Sequence, residues 1–190
     1  MNTKSIMIVG VGGQGSLLAS RLMGHVLLAQ GYDVKVSEVH GMSQRGGSVV
    51  TYVKYGDSVA SPVIEKGEAD LIISFEQLEA ARWIPFLKKG GKIVVSTQKT
   101  DPMPVITGNA TYPENIIEKI RALGIDVIAI DALELAESVG NAKASNVVIM
   151  GAVAQRLDFE EKFWQDAIVE CVPAKFLELN RKAFELGKNA

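Results

Sequence analysis

Short apolar runs alternate with longer amphipathic stretches along this chain, the pattern left by strands and helices that take turns in an α/β fold. Ile6-Met7-Ile8-Val9 is apolar without interruption, as a strand covered on both faces requires. From about Gln14 to Gln30, Leu18, Leu22, Val26 and Ala29 recur at helical spacing, with Ala19, Met23 and Leu27 beside them. Gly31 follows, and glycine commonly closes a helix. Val34 to Val39 reads as a second strand and Ser48 to Tyr55 as a third.

The link between those two strands, His40 to Gly47, is eight residues long. A helical crossover between parallel neighbours needs roughly a dozen residues or more. The third strand is therefore expected to run antiparallel to the second. Asp70 to Phe75 is another buried strand, followed by a helix from about Glu76 to Leu87. Gly90-Gly91 turns the chain into a strand at Lys92 to Ser96, and the polar, proline-punctuated stretch Gln98 to Tyr112 reads as an irregular excursion. Pro113 is placed to open a helix reaching about Leu123, and Ile125 to Ile130 is the last strand. The remainder is helical, at about 132–139, 145–156, 160–170 and 173–186, with Gly187 as the final stop. The prediction is an α/β, Rossmann-like three-layer domain with a mostly parallel, mixed sheet and a helical C-terminal region, spanning 1–190 as one unit.

Composition narrows the classes. The 190 residues are 47% hydrophobic and 22% charged, ordinary values for a folded chain. The formal net charge is -2 and no block of basic residues is present, so nucleic acid is not an expected partner. No apolar run approaches the ~20 residues of a membrane span. Met1 to Ser5 passes into the first strand without a signal-peptide pattern, which points to the cytoplasm. Cys171 stands alone, so an internal disulfide and an all-cysteine iron–sulfur site are excluded; beside Val172-Pro173 it reads as a small buried residue. With two histidines far apart in sequence, no metal site is expected.

Two segments carry candidate chemistry. Gly10-Val11-Gly12-Gly13-Gln14-Gly15 has the spacing G-x-G-x-x-G between a strand and a helix. Such a turn lets a phosphate approach the backbone at a helix N-terminus. Glu38, at the end of the second strand, is placed to supply the acidic residue of a dinucleotide fingerprint. The alternative is that the glycines only let the helix pack closely on the sheet. The second segment is the loop from His40, with Ser43, Gln44, Arg45, Gly46 and Gly47; it leaves the same sheet edge and offers Arg45 as a fixed cation for phosphate or for a partner protein. His40 has no visible acid or nucleophile beside it, so no catalytic residue is assigned. Asn141 or Ser145 reads as a helix cap.

Together Gly10–Gly15, Glu38–Gly47, Ala69–Glu76, Tyr112-Pro113 and Asn141–Asn146 resemble the gamma-type subunits of 2-oxoacid:ferredoxin oxidoreductases. The loop form His-Gly-Met-Ser-Gln-Arg-Gly-Gly looks most like the beta subunits of its indolepyruvate branch. The resemblance implies oxidative decarboxylation of a 2-oxoacid to an acyl-CoA, with reduction of ferredoxin. It also implies thiamine diphosphate and iron–sulfur clusters, neither of which this chain is equipped to hold alone. Gly56-Asp57-Ser58 departs from the Gly-Asp-Gly opening of a thiamine-diphosphate motif. A larger catalytic subunit is the implied partner, and ferredoxin interacts only indirectly. Coenzyme A is the implied shared substrate, with Gly12, Gly13 and Arg45 suited to its phosphates. Whether the isolated chain forms a homodimer stays open. Two rivals also stay open: a free-standing nicotinamide-dependent oxidoreductase or dinucleotide-binding regulator, and an assembly subunit with a vestigial pocket.

Overall fold

A computed structural model describes residues 3–39 and 46–190. Among these, strands β1 (Lys4–Val11), β2 (Asp33–Val39), β3 (Ser48–Gly56), β4 (Ala69–Ser74), β5 (Leu87–Ser96) and β6 (Asp126–Ile130) form one sheet in the order β2-β3-β1-β4-β5-β6. β1, β4, β5 and β6 are parallel neighbours, while β3 pairs antiparallel with both β1 and β2. The short link after β2 thus produces the antiparallel third strand its length demands. Local pattern gives no hint, however, that β3 inserts between β1 and β2.

The apolar run in β1 serves two cores. Ile6 and Ile8 face helix α1 (Ser16–Ala29) and the C-terminal helices α5 (Ala132–Ser138), α6 (Ser145–Ala154), α7 (Glu161–Cys171) and α8 (Leu177–Lys188). Met7 and Val9 face α2 (Gln77–Trp83) and α4 (Ile116–Ala122) on the other side. Alternation along one strand therefore sets three layers. It also sets the site: α1 leaves β1 toward one face, and α2 leaves the adjacent parallel β4 toward the other. Neighbouring connections that part in this way open a crevice at the carboxyl ends of the strands, where α/β ligands bind.

Several boundaries differ from the sequence reading. Glycine does not stop the last helix; Gly187 lies inside α8, pressed against the backbone of Val148. Pro113 does not open α4, which starts three residues later behind Asn115 in a left-handed conformation. The helix expected over Glu76 to Leu87 breaks at Trp83 into a 3-10 turn, Ile84–Phe86, because Pro85 cannot continue the donor ladder. β5 begins at Leu87, ahead of a bulge over Lys88–Gly91. The excursion contains one turn of helix, α3 (Met103–Ile106).

The amino edge is closed by Asp70. Its carboxylate accepts from Ser5 N (2.9 Å), Lys88 Nζ (2.8 Å) and Lys4 Nζ (3.3 Å). Burial alone raises this carboxyl, but Lys88, the Ser5 amide and Lys4 outweigh it and hold it below the usual carboxylate value. Asp70 therefore pins the start of β1 and the β5 bulge to β4, away from the crevice.

Candidate functional site

Gly10 and Val11 belong to β1, so the turn proper is Gly12 to Gly15. The glycines divide their labour. Gly12 extends the β1–β3 ladder: its N–H donates to Gly47 O at 2.8 Å, and Gly46 N–H donates to Gly12 O at 3.4 Å. The loop after β2 and the Gly-rich turn are thus hydrogen-bonded through their glycines. A Cβ at Gly10 would meet Gln14 Oε1 at 2.8 Å and Phe75 Cβ at 3.2 Å. Gly15 caps α1 in a left-handed conformation (φ 86°) and lies directly against the Asn146 amide. Gly13 (φ 103°) has nothing within 4 Å of where a Cβ would sit, so its backbone faces open space.

Gln14 does not point outward to a ligand. Its Oε1 accepts from Val11 N (2.7 Å) and its Nε2 donates to Phe75 O (3.2 Å), bridging β1 and β4 at the crevice between them. Asn146 plays the matching part for α6. Its Nδ2 donates to Gly15 O (3.2 Å) and its Oδ1 accepts from Val147 N (2.8 Å). The start of α6 is thereby fastened to the start of α1. Asn141 caps the 3-10 turn Ala142–Ala144 by accepting from Lys143 N (3.0 Å), while Ser145 is the first residue of α6 and gives it no side-chain cap.

Two clefts result at this edge. The first, about 500 Å³, is lined by Gly13, Gln14, Gly15, Gln98, Lys143 and Asn146. α1 has no side-chain N-cap and meets it with its positive dipole end, whereas the start of α6 continues the Asn141-capped 3-10 turn and gives its Val147 N–H to Asn146 Oδ1. Lys143 is exposed and makes no ion pair among the described residues. The second, about 200 Å³, is lined by Gly46, Gly47, Glu76, Glu79, Arg82 and Thr100. Glu79 accepts from Ser48 Oγ, from Arg82 Nε (3.0 Å) and from Trp83 Nε1 (3.3 Å). Glu76 accepts from Glu79 N (2.8 Å), Thr100 N (3.2 Å) and Tyr112 Oη. Burial, with the Glu76 carboxylate next, pushes the Tyr112 hydroxyl well above its usual pKa and keeps it a donor. A larger cleft of about 870 Å³ lies at the opposite, amino edge under Lys88 and Lys89, remote from the glycine turn.

His40, Ser43, Gln44 and Arg45 lie outside the described residues. Of the remaining residues expected at the site, Gly13, Gln14 and Gly15 line the first cleft, Gly46 and Gly47 line the second, and Gly12 joins the two through its hydrogen bonds to Gly46 and Gly47; Gly10 is packed against Gln14 and Phe75, and the Gln14 amide is spent on internal bonds. Glu38 does not join them. With β3 intervening, it lies two strand spacings from β1, roughly 10 Å away. It also accepts from Ser20 Oγ at 2.8 Å on α1. The dinucleotide arrangement, in which the second strand adjoins the first, is absent, and the nicotinamide reading loses its support.

The chain's relatives agree with this geometry. The profile of the family described as pyruvate ferredoxin/flavodoxin oxidoreductase matches residues 5–190. The chain belongs to that family. Indolepyruvate oxidoreductase subunit IorB of Thermococcus kodakarensis is 43% identical over 100% of the chain and 96% of the relative. The keto/oxoacid ferredoxin oxidoreductase gamma subunit of Geobacter sulfurreducens superposes with a TM-score of 0.76 at 24% identity, covering 100% of this chain and 96% of that one. A 2-oxoglutarate:ferredoxin oxidoreductase from Magnetococcus marinus, solved with 2-oxoglutarate, coenzyme A and succinyl-CoA bound, has the same TM-score at 17% identity. There this fold makes up 31% of a longer chain, although it covers 100% of the present one. The chain is accordingly a subunit of an oxidoreductase of the 2-oxoacid:ferredoxin type.

The family's thiamine diphosphate and iron–sulfur clusters do not fit the residues present. One cysteine, half-buried Cys171 with its thiol pushed up by burial, cannot ligate a cluster. Among the described residues no group of three or more His, Cys, Asp or Glu is placed to hold a metal. None of their helices is long and apolar enough to cross a membrane. The site residues that pattern-reading missed are Asn146, Lys143, Glu76, Glu79 and Tyr112. Four of them had a trace only in the resemblance of Ala69–Glu76, Tyr112-Pro113 and Asn141–Asn146 to the family; Glu79 had none.

Proposed function

We propose that the chain is the small subunit of an indolepyruvate- or arylpyruvate-type ferredoxin oxidoreductase, and that it is inactive alone. The assembled enzyme decarboxylates the oxoacid, passes the electrons to ferredoxin and transfers the acyl group to coenzyme A. The larger partner holds the thiamine diphosphate and the clusters; this chain lends the wall of its carboxyl edge. The reading rests on the family and on the indolepyruvate relative. It gains support from one feature of the site: the open backbone at Gly13 shares a cleft with the N-terminus of α1 and with Lys143, which makes no ion pair among the described residues. That combination suits the pyrophosphate or 3′-phosphate of coenzyme A. Arg45, adjacent to Gly46 in the sequence, is proposed as a second cation for the same ligand.

Calorimetric titration of coenzyme A into the assembled enzyme tests this. Arg45→Ala and Lys143→Ala are each expected to weaken binding about tenfold, the loss of one charge-assisted contact. Unchanged affinity in both would remove the phosphate role. A second reading has its own observation: Gly10, Gln14 and Gly15 are all engaged in internal contacts, as a purely structural turn would be. In that case both variants bind coenzyme A normally and only assembly is sensitive to the glycines.

A further inference from the structure

The two clefts share one wall. Gln98 lines the first, while Thr100, Pro102 and Met103 line the second, so the excursion 98–112 borders both. Almost nothing in that excursion packs into the core. Residues 106–111 are all exposed, and Met103 and Ile106 are 65% and 66% exposed. Its position must come from its polar anchors. Gln77 supplies one set, donating its N–H to Gln98 O (3.2 Å) and its Nε2 to Thr97 O. Glu76 supplies the other.

The choice of residue at 76 is informative. Glu76 is the N-cap of α2, a position that normally favours the short side chains of Ser, Thr, Asp or Asn. It is only 1% exposed and has no cation partner among the described residues, which is costly for a carboxylate. A short cap residue would satisfy Glu79 N just as well. The longer side chain does two jobs: Oε2 takes the cap while Oε1 accepts from Thr100 N and Tyr112 Oη. Those two donors are the near and far ends of the exposed segment. One oxygen thus closes a loop of about a dozen residues, and closure of this kind is what an unpacked segment needs to hold one position.

We propose that Glu76 is a positioning residue for the shared-substrate site, acting through Tyr112 to fix the excursion as the common wall of both clefts. The wall sets the width of the mouth through which coenzyme A enters, so the inference rests on the coenzyme A reading above. The Glu76 carboxylate touches no reacting atom.

The test is Tyr112→Phe in the assembled enzyme, because it removes one hydroxyl and leaves the α2 cap intact. KM for coenzyme A is expected to rise about tenfold, with kcat falling less than twofold and KM for the oxoacid unchanged. Limited proteolysis should cut within 101–111 faster than in the wild type, at a melting temperature within a few degrees. Glu76→Asp, which can still cap α2 but is too short to reach Thr100 N and Tyr112 Oη as well, is expected to give the same KM–kcat split. Gly13→Ala separates the positioning role from the cleft assignment. If Gly13→Ala raises KM for coenzyme A and Tyr112→Phe does not, the positioning role is overturned and the cleft assignment stands. If neither variant changes KM, both fall. A parallel rise in both substrates' KM would also overturn the proposal, because it would mark a general loosening.

Discussion

Gly187→Ala should be among the most damaging single-methyl changes available in this chain. A Cβ at Gly187 would overlap the Val148 carbonyl oxygen, and one at Gly151 would overlap Phe184 O. Helices α6 and α8 therefore cross backbone to backbone through a glycine on each. The neighbours are carbonyl groups within helical ladders, not flexible side-chain ends, so neither can step aside. The helices must separate, which loosens the contacts of Val148, Met150 and Phe184 in the larger core. A loss of about 3 kcal/mol or more is expected, roughly a 6–12 °C fall in melting temperature for a chain of this size. Gly24→Ala in α1 makes the contrast: nothing lies within 4 Å of its Cβ, so the same substitution should stabilise by about 0.5–1 kcal/mol. Thermal unfolding followed by circular dichroism reads both signs. Equal melting temperatures for the two variants would refute the backbone contact between α6 and α8.

Gly15→Ala carries the second large effect, and it reaches function as well as stability. Its left-handed backbone alone costs an alanine about 1–2 kcal/mol. The added methyl also overlaps Asn146 Nδ2, and Asn146 is buried and committed to Gly15 O and Val147 N. The starts of α1 and α6 would be pushed apart, along with the cleft between them. We expect a total loss of roughly 2–4 kcal/mol and at least a tenfold drop in coenzyme A-dependent turnover of the assembled enzyme. Gly13→Ala also falls at a positive φ but meets no neighbour, so strain of about 1–2 kcal/mol should be its whole stability cost. Melting curves and steady-state kinetics on the pair distinguish packing from strain. If Gly15→Ala behaved like Gly13→Ala, the Asn146 fastening would carry no weight.

These two glycines show where the sequence is legible and where it is not. The strand at Ile6 to Val9 and the helix behind it follow from period alone, because burial on one face or two is written locally. The antiparallel β3 follows from the length of one loop. The insertion of β3 between β1 and β2 does not, since strand order is decided by pairings across the sheet. That single fact removes Glu38 from the site. Glycine has the same ambiguity: Gly187 looks like a helix stop, yet it is a contact point with a helix whose glycine is 36 residues earlier. Gln14 sits in a ligand-binding motif and spends both ends of its amide on Val11 at the end of β1 and on Phe75 just beyond β4. The Glu76–Tyr112 contact joins positions 36 residues apart, across α2, β5 and the excursion, and has no periodic signature at all.

We propose that this chain completes a site whose catalytic groups belong to another subunit. Reconstitution with the proposed larger subunit is the decisive measurement: oxoacid- and coenzyme A-dependent reduction of ferredoxin by each chain alone and by the pair. Turnover is expected from the pair only, with the highest kcat/KM for indolepyruvate among indolepyruvate, phenylpyruvate and pyruvate. Full turnover by the larger subunit alone would contradict the shared site, and preference for pyruvate would contradict the branch.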